Sequence, residues 1–117
     1  MRIYSFAPSD GRRTTEHASA LTLVPMLSAE HAHVVCVHLA AGDSVGIHEA
    51  AGEQLFCVVD GAGWVEGDGA DRVPIQAWQA ASWRRGERHG AGTTTGLTAL
   101  VVEGPRLELH ESLPGRS

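Results

Sequence analysis

No stretch of the 117-residue sequence approaches the roughly 20 consecutive apolar residues that span a bilayer. The opening residues, Met1-Arg2-Ile3-Tyr4-Ser5, lack the apolar core of an export signal. A membrane span and secretion are therefore not expected, and the expected compartment is the cytoplasm. Basic clusters are scarce too: nine Lys and Arg stand against 14 Asp and Glu, a formal charge of -5, and the only basic pairs are Arg12-Arg13 and Arg84-Arg85. Nucleic acid is not expected as a partner, because affinity for a phosphate backbone rests on clustered cations. Cysteine is limited to Cys36 and Cys57, each within an apolar run and not in a C-x-x-C pair. In a reducing compartment both read as small buried hydrophobes. Helical periodicity is missing as well, since no window of about 11 residues sustains an apolar period of 3.6 with caps at both ends. The nearest rival, residues 28–41, contains Val34, Val35 and Val37, whose stiff branched side chains favour a strand.

What remains is strand signal. Short runs rich in Val, Leu, Ile and Trp, separated by Gly and Asp clusters at intervals of roughly ten residues, predict an all-β sandwich or barrel. Strands are expected over residues 2–6, 21–27, 33–40, 54–60, 63–66, 72–76, 80–84 and 96–103, with a further short one over 106–110. Pro25 pushes the second of these towards a sheet edge, since proline donates nothing to a ladder. Two glycine turns are expected, at Gly61-Ala62-Gly63 and in the hairpin Gly67-Asp68-Gly69-Ala70-Asp71. A charged share of 20% and a hydrophobic share of 43% suit one soluble domain spanning residues 1–117. Its core is expected over about residues 20–104, with a C-terminal tail over 105–117 whose Pro-Gly end frays beyond the short strand at 106–110.

The informative segment is residues 42–61, GDSVGIHEAAGEQLFCVVDG. It resembles the first motif of the cupin superfamily, G-x5-H-x-H-x(3,4)-E-x6-G, with Gly42, His48 and Gly61 on its landmarks. Gln54 falls where that family has its glutamate, and Ala50 where it has its second histidine. The stretch from Trp83 to Gly90 resembles the second motif, G-x5-P-x-G-x2-H-x3-N, with Gly86 and His89 in place, Arg84 standing for the proline and Thr93 for the terminal asparagine. The resemblance implies a double-stranded β-helix, or jelly roll, whose lumen residues usually hold one divalent metal. Applied here, it implies His48, Gln54 and His89 as the ligand set and Zn, Ni, Fe, Cu or Mn as the ion. It also implies a homodimer, with strand 1–6 a candidate for exchange between copies.

The residue chemistry qualifies this. Imidazole suits those ions, but Gln54 offers only a neutral amide oxygen and Ala50 nothing, so a metal would be held more weakly than by a full cupin set. Gln54 could equally be a hydrogen-bonding anchor that orients a ligand or a histidine tautomer. Glu49 and Glu53 adjoin His48 and Gln54 and should point to the opposite face. In the strand before them, Val35, Val37 and Leu39 are expected inward, and Val34, Cys36 and His38 outward. Phe56 and Val58 share the face of Gln54, and with Trp83 and Arg84 they complete the expected ligand pocket. His17, His31, His33 and His110 are assigned to the surface or to turns. Two functions compete: a small-molecule-binding barrel, which accounts for Gln54 and Ala50 directly, and a metal-dependent cupin enzyme, such as a small dioxygenase or isomerase.

Overall fold

The computed structural model describes residues 1–18, 20–69 and 71–116, apart from the side chain of Arg116. The described residues form thirteen strands: β1 (Arg2–Ser5), β2 (Arg12–Thr14), β3 (Leu21–Leu23), β4 (Leu27–Ser28), β5 (His33–Leu39), β6 (Ser44–Glu49), β7 (Glu53–Glu66), β8 (Val73–Gln76), β9 (Gln79–Trp83), β10 (Arg88–Gly92), β11 (Leu97–Gly104), β12 (Glu108–Leu109) and β13 (Gly115–Arg116). No α-helix occurs among the described residues; Pro8–Asp10 and Glu16–Ala18 form short 3-10 turns.

The architecture turns on β7, a single strand of 14 residues. Its first half lies between β9 and β11, with Gln54 opposite Trp83 on one side and Glu103 on the other. Its second half lies between β8 and β10, where Trp64 faces Pro74 and Gly92. The strand thus leaves one sheet and enters the other. The expected turn at Gly61-Ala62-Gly63 is therefore incorrect: the chain runs straight through it. Gly61 takes φ +79°, and a Cβ there would sit 2.2 Å from the carbonyl oxygen of Gly96. The glycine marks a close approach of two backbones with a ladder irregularity at Thr98/Ala99, rather than a reversal.

Strand parity sets the two cores. Phe56, Val58, Ala81, Leu97, Ala99 and Trp83 point inward and fill the lumen with Val65, Ile75 and Ala91. Leu55, Cys57 and Ala80 point outward, where Phe6, Leu113 and partly buried Val24, Met26, Leu107 and Leu109 cover them. The C-terminal tail holds the short strand expected over 106–110, as β12 against β4, and its end, expected to fray, is paired through β13 with β1. Its apolar residues, Leu107, Leu109 and Leu113, gain burial that a loose tail would forgo. β1 pairs with β9 of its own chain. The expected strand over 21–27 breaks at Pro25 into β3 and β4, and the polar loop before it supplies β2 as a partner for β3. β7 and β8 pair as the expected hairpin requires, and Ala70 of the expected turn lies outside the described residues.

Candidate functional site

The two strands that carry the histidines of the candidate site both escaped the sequence reading. β6 and β10 are antiparallel neighbours whose register sets His48 directly opposite His89. Their polar composition hides them; Gly42 (φ +87°) before β6 and Gly86 (φ +85°) before β10 mark the turns that launch them. The register brings the imidazoles to a centroid separation of 4.1 Å at a tilt of 51°.

The two rings differ in environment. His48 is exposed, and its Nδ1 donates to the carbonyl oxygen of Gly46 at 2.8 Å, which fixes Nε2 as its free nitrogen. His89 is 5% exposed, and its Nε2 is buried without a hydrogen-bond partner among the described residues. Burial holds the His89 imidazole below its ordinary value of 6.5; His48 adds to the depression, while Glu103 and Glu87 oppose it. Trp83 backs the ring at 5.1 Å between centroids and is itself anchored by its Nε1–H to the Glu66 carbonyl oxygen.

These groups line one cavity of about 200 Å³, whose walls come from Val35, Val37, Val45, Phe56, Ala91 and Val101 together with His48, Gln54, Trp83 and His89. The structure thus gathers the three expected ligand residues, and it places Val35 and Val37 inward as read. Two expected pocket residues are corrected. Val58 is fully buried, deeper in the lumen core and away from the cavity. Arg84 is exposed and lines not the cavity but an adjoining outer cleft of about 420 Å³, which shares Gln54 and Trp83 with it and is flanked by Glu87 and Arg2, because Arg84 follows the end of β9. Cys36 is corrected as well: it is exposed, since β5 is an edge strand paired only with β11, whereas Cys57 is buried as expected. Glu49 is exposed and Glu53 accepts a hydrogen bond from the Leu107 backbone, so neither joins the cavity.

Glu103 is the residue the sequence reading missed. It ends the inward face of β11, in register with Gln54, whose Nε2 donates to Glu103 Oε2 at 2.8 Å. Its signal was present, because Leu97, Ala99, Val101 and Glu103 share one parity, but no motif landmark pointed to it.

The donor set was tested against the metal that the fold implies. His48, Gln54 and His89 offer two imidazoles and one amide oxygen, all neutral, and the nearby carboxylate of Glu103 is engaged by Gln54. Among the described residues no three His, Cys, Asp or Glu side chains stand close enough to share an ion. This set does not fit a resident dication of the two-histidine, one-carboxylate kind.

No family model and no curated protein matches the chain. Solved structures do. A predicted oxalate decarboxylase from Thermotoga maritima is 30% identical with a TM-score of 0.55, over 66% of this chain and 65% of its own length. The chain thus spans about two thirds of that protein. An RmlC-like cupin protein from Desulfovibrio desulfuricans is 24% identical, with a TM-score of 0.59 over 69% of this chain and 79% of that one. The salicylate 1,2-dioxygenase of Pseudoaminobacter salicylatoxidans, solved with gentisate, is 16% identical, with a TM-score of 0.59 over 68% of this chain and 24% of the enzyme. A barrel of antiparallel strands crossed by one shared strand, together with these structural likenesses, gives the chain the fold of a cupin barrel.

Proposed function

We propose that this chain is a small-molecule-binding cupin barrel whose lumen site is built on His48, Gln54 and His89. One observation carries the reading. His89 Nε2 is a buried nitrogen with no hydrogen-bond partner among the described residues, and His89 lines a cavity that is otherwise mainly apolar. A buried polar atom left unmatched costs about 1–3 kcal/mol, and a ligand that hydrogen-bonds to it recovers much of that cost. The wall chemistry selects a ligand with a flat or branched apolar body, seated against Phe56, Trp83 and Val101, and one polar group directed at the histidine pair. Gln54 acts as the anchor: its amide is held by Glu103, leaving its oxygen to orient the bound molecule.

A homodimer forms part of this reading, supported by β5, which among the described residues pairs with β11 on one edge and leaves its other edge open to a second copy. Exchange of residues 1–6 is not required, as β1 already completes β9 within one chain. Catalysis is the second reading, favoured by a lumen carboxylate, Glu103, near the depressed imidazole of His89. The test is a thermal-shift panel of small aromatic acids, phenols and branched aliphatic acids on the purified protein, repeated with His89→Leu. A stabilising compound whose effect disappears in His89→Leu supports the site. A compound that stabilises both proteins equally places binding elsewhere and overturns it, and so does a panel without hits at millimolar concentration.

A further inference from the structure

The outer face of β5 and β11, on the far side of the sheet from the cavity, carries a second constellation. Cys36 Sγ lies 3.6 Å from His38 Nε2, and His38 Nδ1 lies 3.2 Å from Thr98 Oγ1. The three side chains are held by strand geometry: Cys36 and His38 share a face by the period of two, and Thr98 is the register partner of His38 on β11. The tautomer in which Nδ1–H donates to the threonine hydroxyl leaves the Nε2 lone pair facing the thiol. A nucleophile, a base within reach of it and a third group that orients the base is the arrangement that activates a sulfur. Both ends are open to solvent, with exposed Val34 beside the thiol on its own strand and Leu100, 39% exposed, opposite it.

We propose that Cys36 is a reactive thiol site, with His38 as its base and Thr98 as the positioning residue, that takes small disulfides in thiol–disulfide exchange. The thiol proton passes to His38 Nε2 as the sulfur attacks one sulfur of the incoming disulfide. The disulfide's own S–S bond breaks, a mixed disulfide forms on Cys36, and the departing thiolate takes the proton back from His38. Cys36 is oxidised to the mixed disulfide while one half of the reagent is reduced to a thiol. The flanking valine and leucine suit a disulfide with apolar substituents. The carboxylate nearest in register to this row is Asp60 on β7, opposite Thr98, and the ladder bears no charged side chain between Asp60 and the imidazole. Cys57 serves as an internal control, because it is buried and its thiol is pushed up to about 12 by desolvation.

The experiment measures the second-order rate of the folded protein with 4,4′-dithiodipyridine, an uncharged probe indifferent to the net charge of -5. Wild type is compared with Cys36→Ser, Cys57→Ser, His38→Gln and Thr98→Val from pH 5 to 9, with circular dichroism confirming each fold. One fast thiol should react in wild type and Cys57→Ser and vanish in Cys36→Ser. His38→Gln should slow it by about a hundredfold near neutral pH and change the shape of the rate profile. Thr98→Val should give a smaller loss with the profile retained. Labelling of Cys57 first, or a Cys36 rate equal to that of an unstructured peptide thiol and unchanged in His38→Gln, would overturn the assignment.

Discussion

His48 and His89 stand opposite each other across the β6–β10 ladder, their ring centroids 4.1 Å apart, with one ring in solvent and the other 5% exposed. Two imidazoles at that distance cannot both be charged cheaply, and burial decides which stays neutral. The consequence is a stability that depends on pH with a definite sign. Above 6.5, His89 is neutral whether folded or unfolded and contributes nothing. As pH falls below 6.5, the unfolded chain takes up a proton that the folded state refuses, so stability declines until the depressed folded value is reached. Melting curves between pH 8 and 5 should show a shallower decline in His89→Gln than in wild type; parallel curves would mean that the ring is not buried in solution.

Gln54 Nε2 bonded to Glu103 Oε2 makes Gln54→Glu an informative variant. The substitution exchanges a donor for a second carboxylate, so at neutral pH it should cost about 1–3 kcal/mol in urea unfolding. The paired carboxyls will share a proton at a raised value, and the lost stability should return as pH falls through it. Added Mn²⁺ or Zn²⁺ should stabilise the variant more than wild type, since a charged oxygen ligand then faces the two imidazoles. Equal metal effects on both proteins would show that residue 54 does not address the histidine pair.

Thr93 is 1% exposed and bridges two backbones: its hydroxyl donates to the Ala62 carbonyl oxygen at 2.6 Å and accepts from the Gly96 N–H at 2.9 Å. Thr93→Val keeps the shape and removes both bonds, leaving two backbone groups unmatched. A loss of about 1–3 kcal/mol is expected. Thr93→Ser, which retains the hydroxyl, should recover most of it, and a Ser variant as weak as Val would assign the residue to packing alone.

Gly42 and Gly61 both have positive φ, but only one is crowded. A Cβ at Gly42 meets nothing within 4 Å, whereas at Gly61 it meets the Gly96 oxygen at 2.2 Å. Gly42→Ala should therefore cost about 1–2 kcal/mol from backbone conformation alone. Gly61→Ala must in addition push two backbones apart and should cost clearly more. Comparable midpoints for the two variants would contradict the close approach.

The inward and outward faces of β7, β9 and β11 were legible because apolar residues alternate there with a clear period, and Phe56 could be placed beside Gln54 on that basis, Gln54 itself standing on a motif landmark. His48 and His89 were legible as landmarks, though not as strand residues. SVGIHE and RHGAG carry too few branched apolar residues to signal strands, and their pairing is a non-local property. Val58 was misplaced because parity gives the face of a side chain but not its depth along the barrel. Arg84 was assigned to the pocket from the motif, yet it stands where β9 ends. Cys36 defeated the reading for a different reason: an apolar run implies burial only if both edges and both faces of the strand are covered, and β5 has one free edge. Glu103 could have been found by extending the parity of Leu97, Ala99 and Val101 by one step.

The continuity of β7 also bears on how the barrel moves. One strand stitches both sheets along one side, while on the other side β5 pairs only with β11 and β6 only with β10. Val35, Val37 and Val45 of the cavity wall stand on these two lightly tethered strands. Such a body breathes like a bivalve, with a stiff ligament opposite a parting seam. Amide exchange with deuterium should accordingly be slowest in the β7 spine and fastest along β5 and β6, and a molecule entering the lumen would close the seam and slow exchange at that lip.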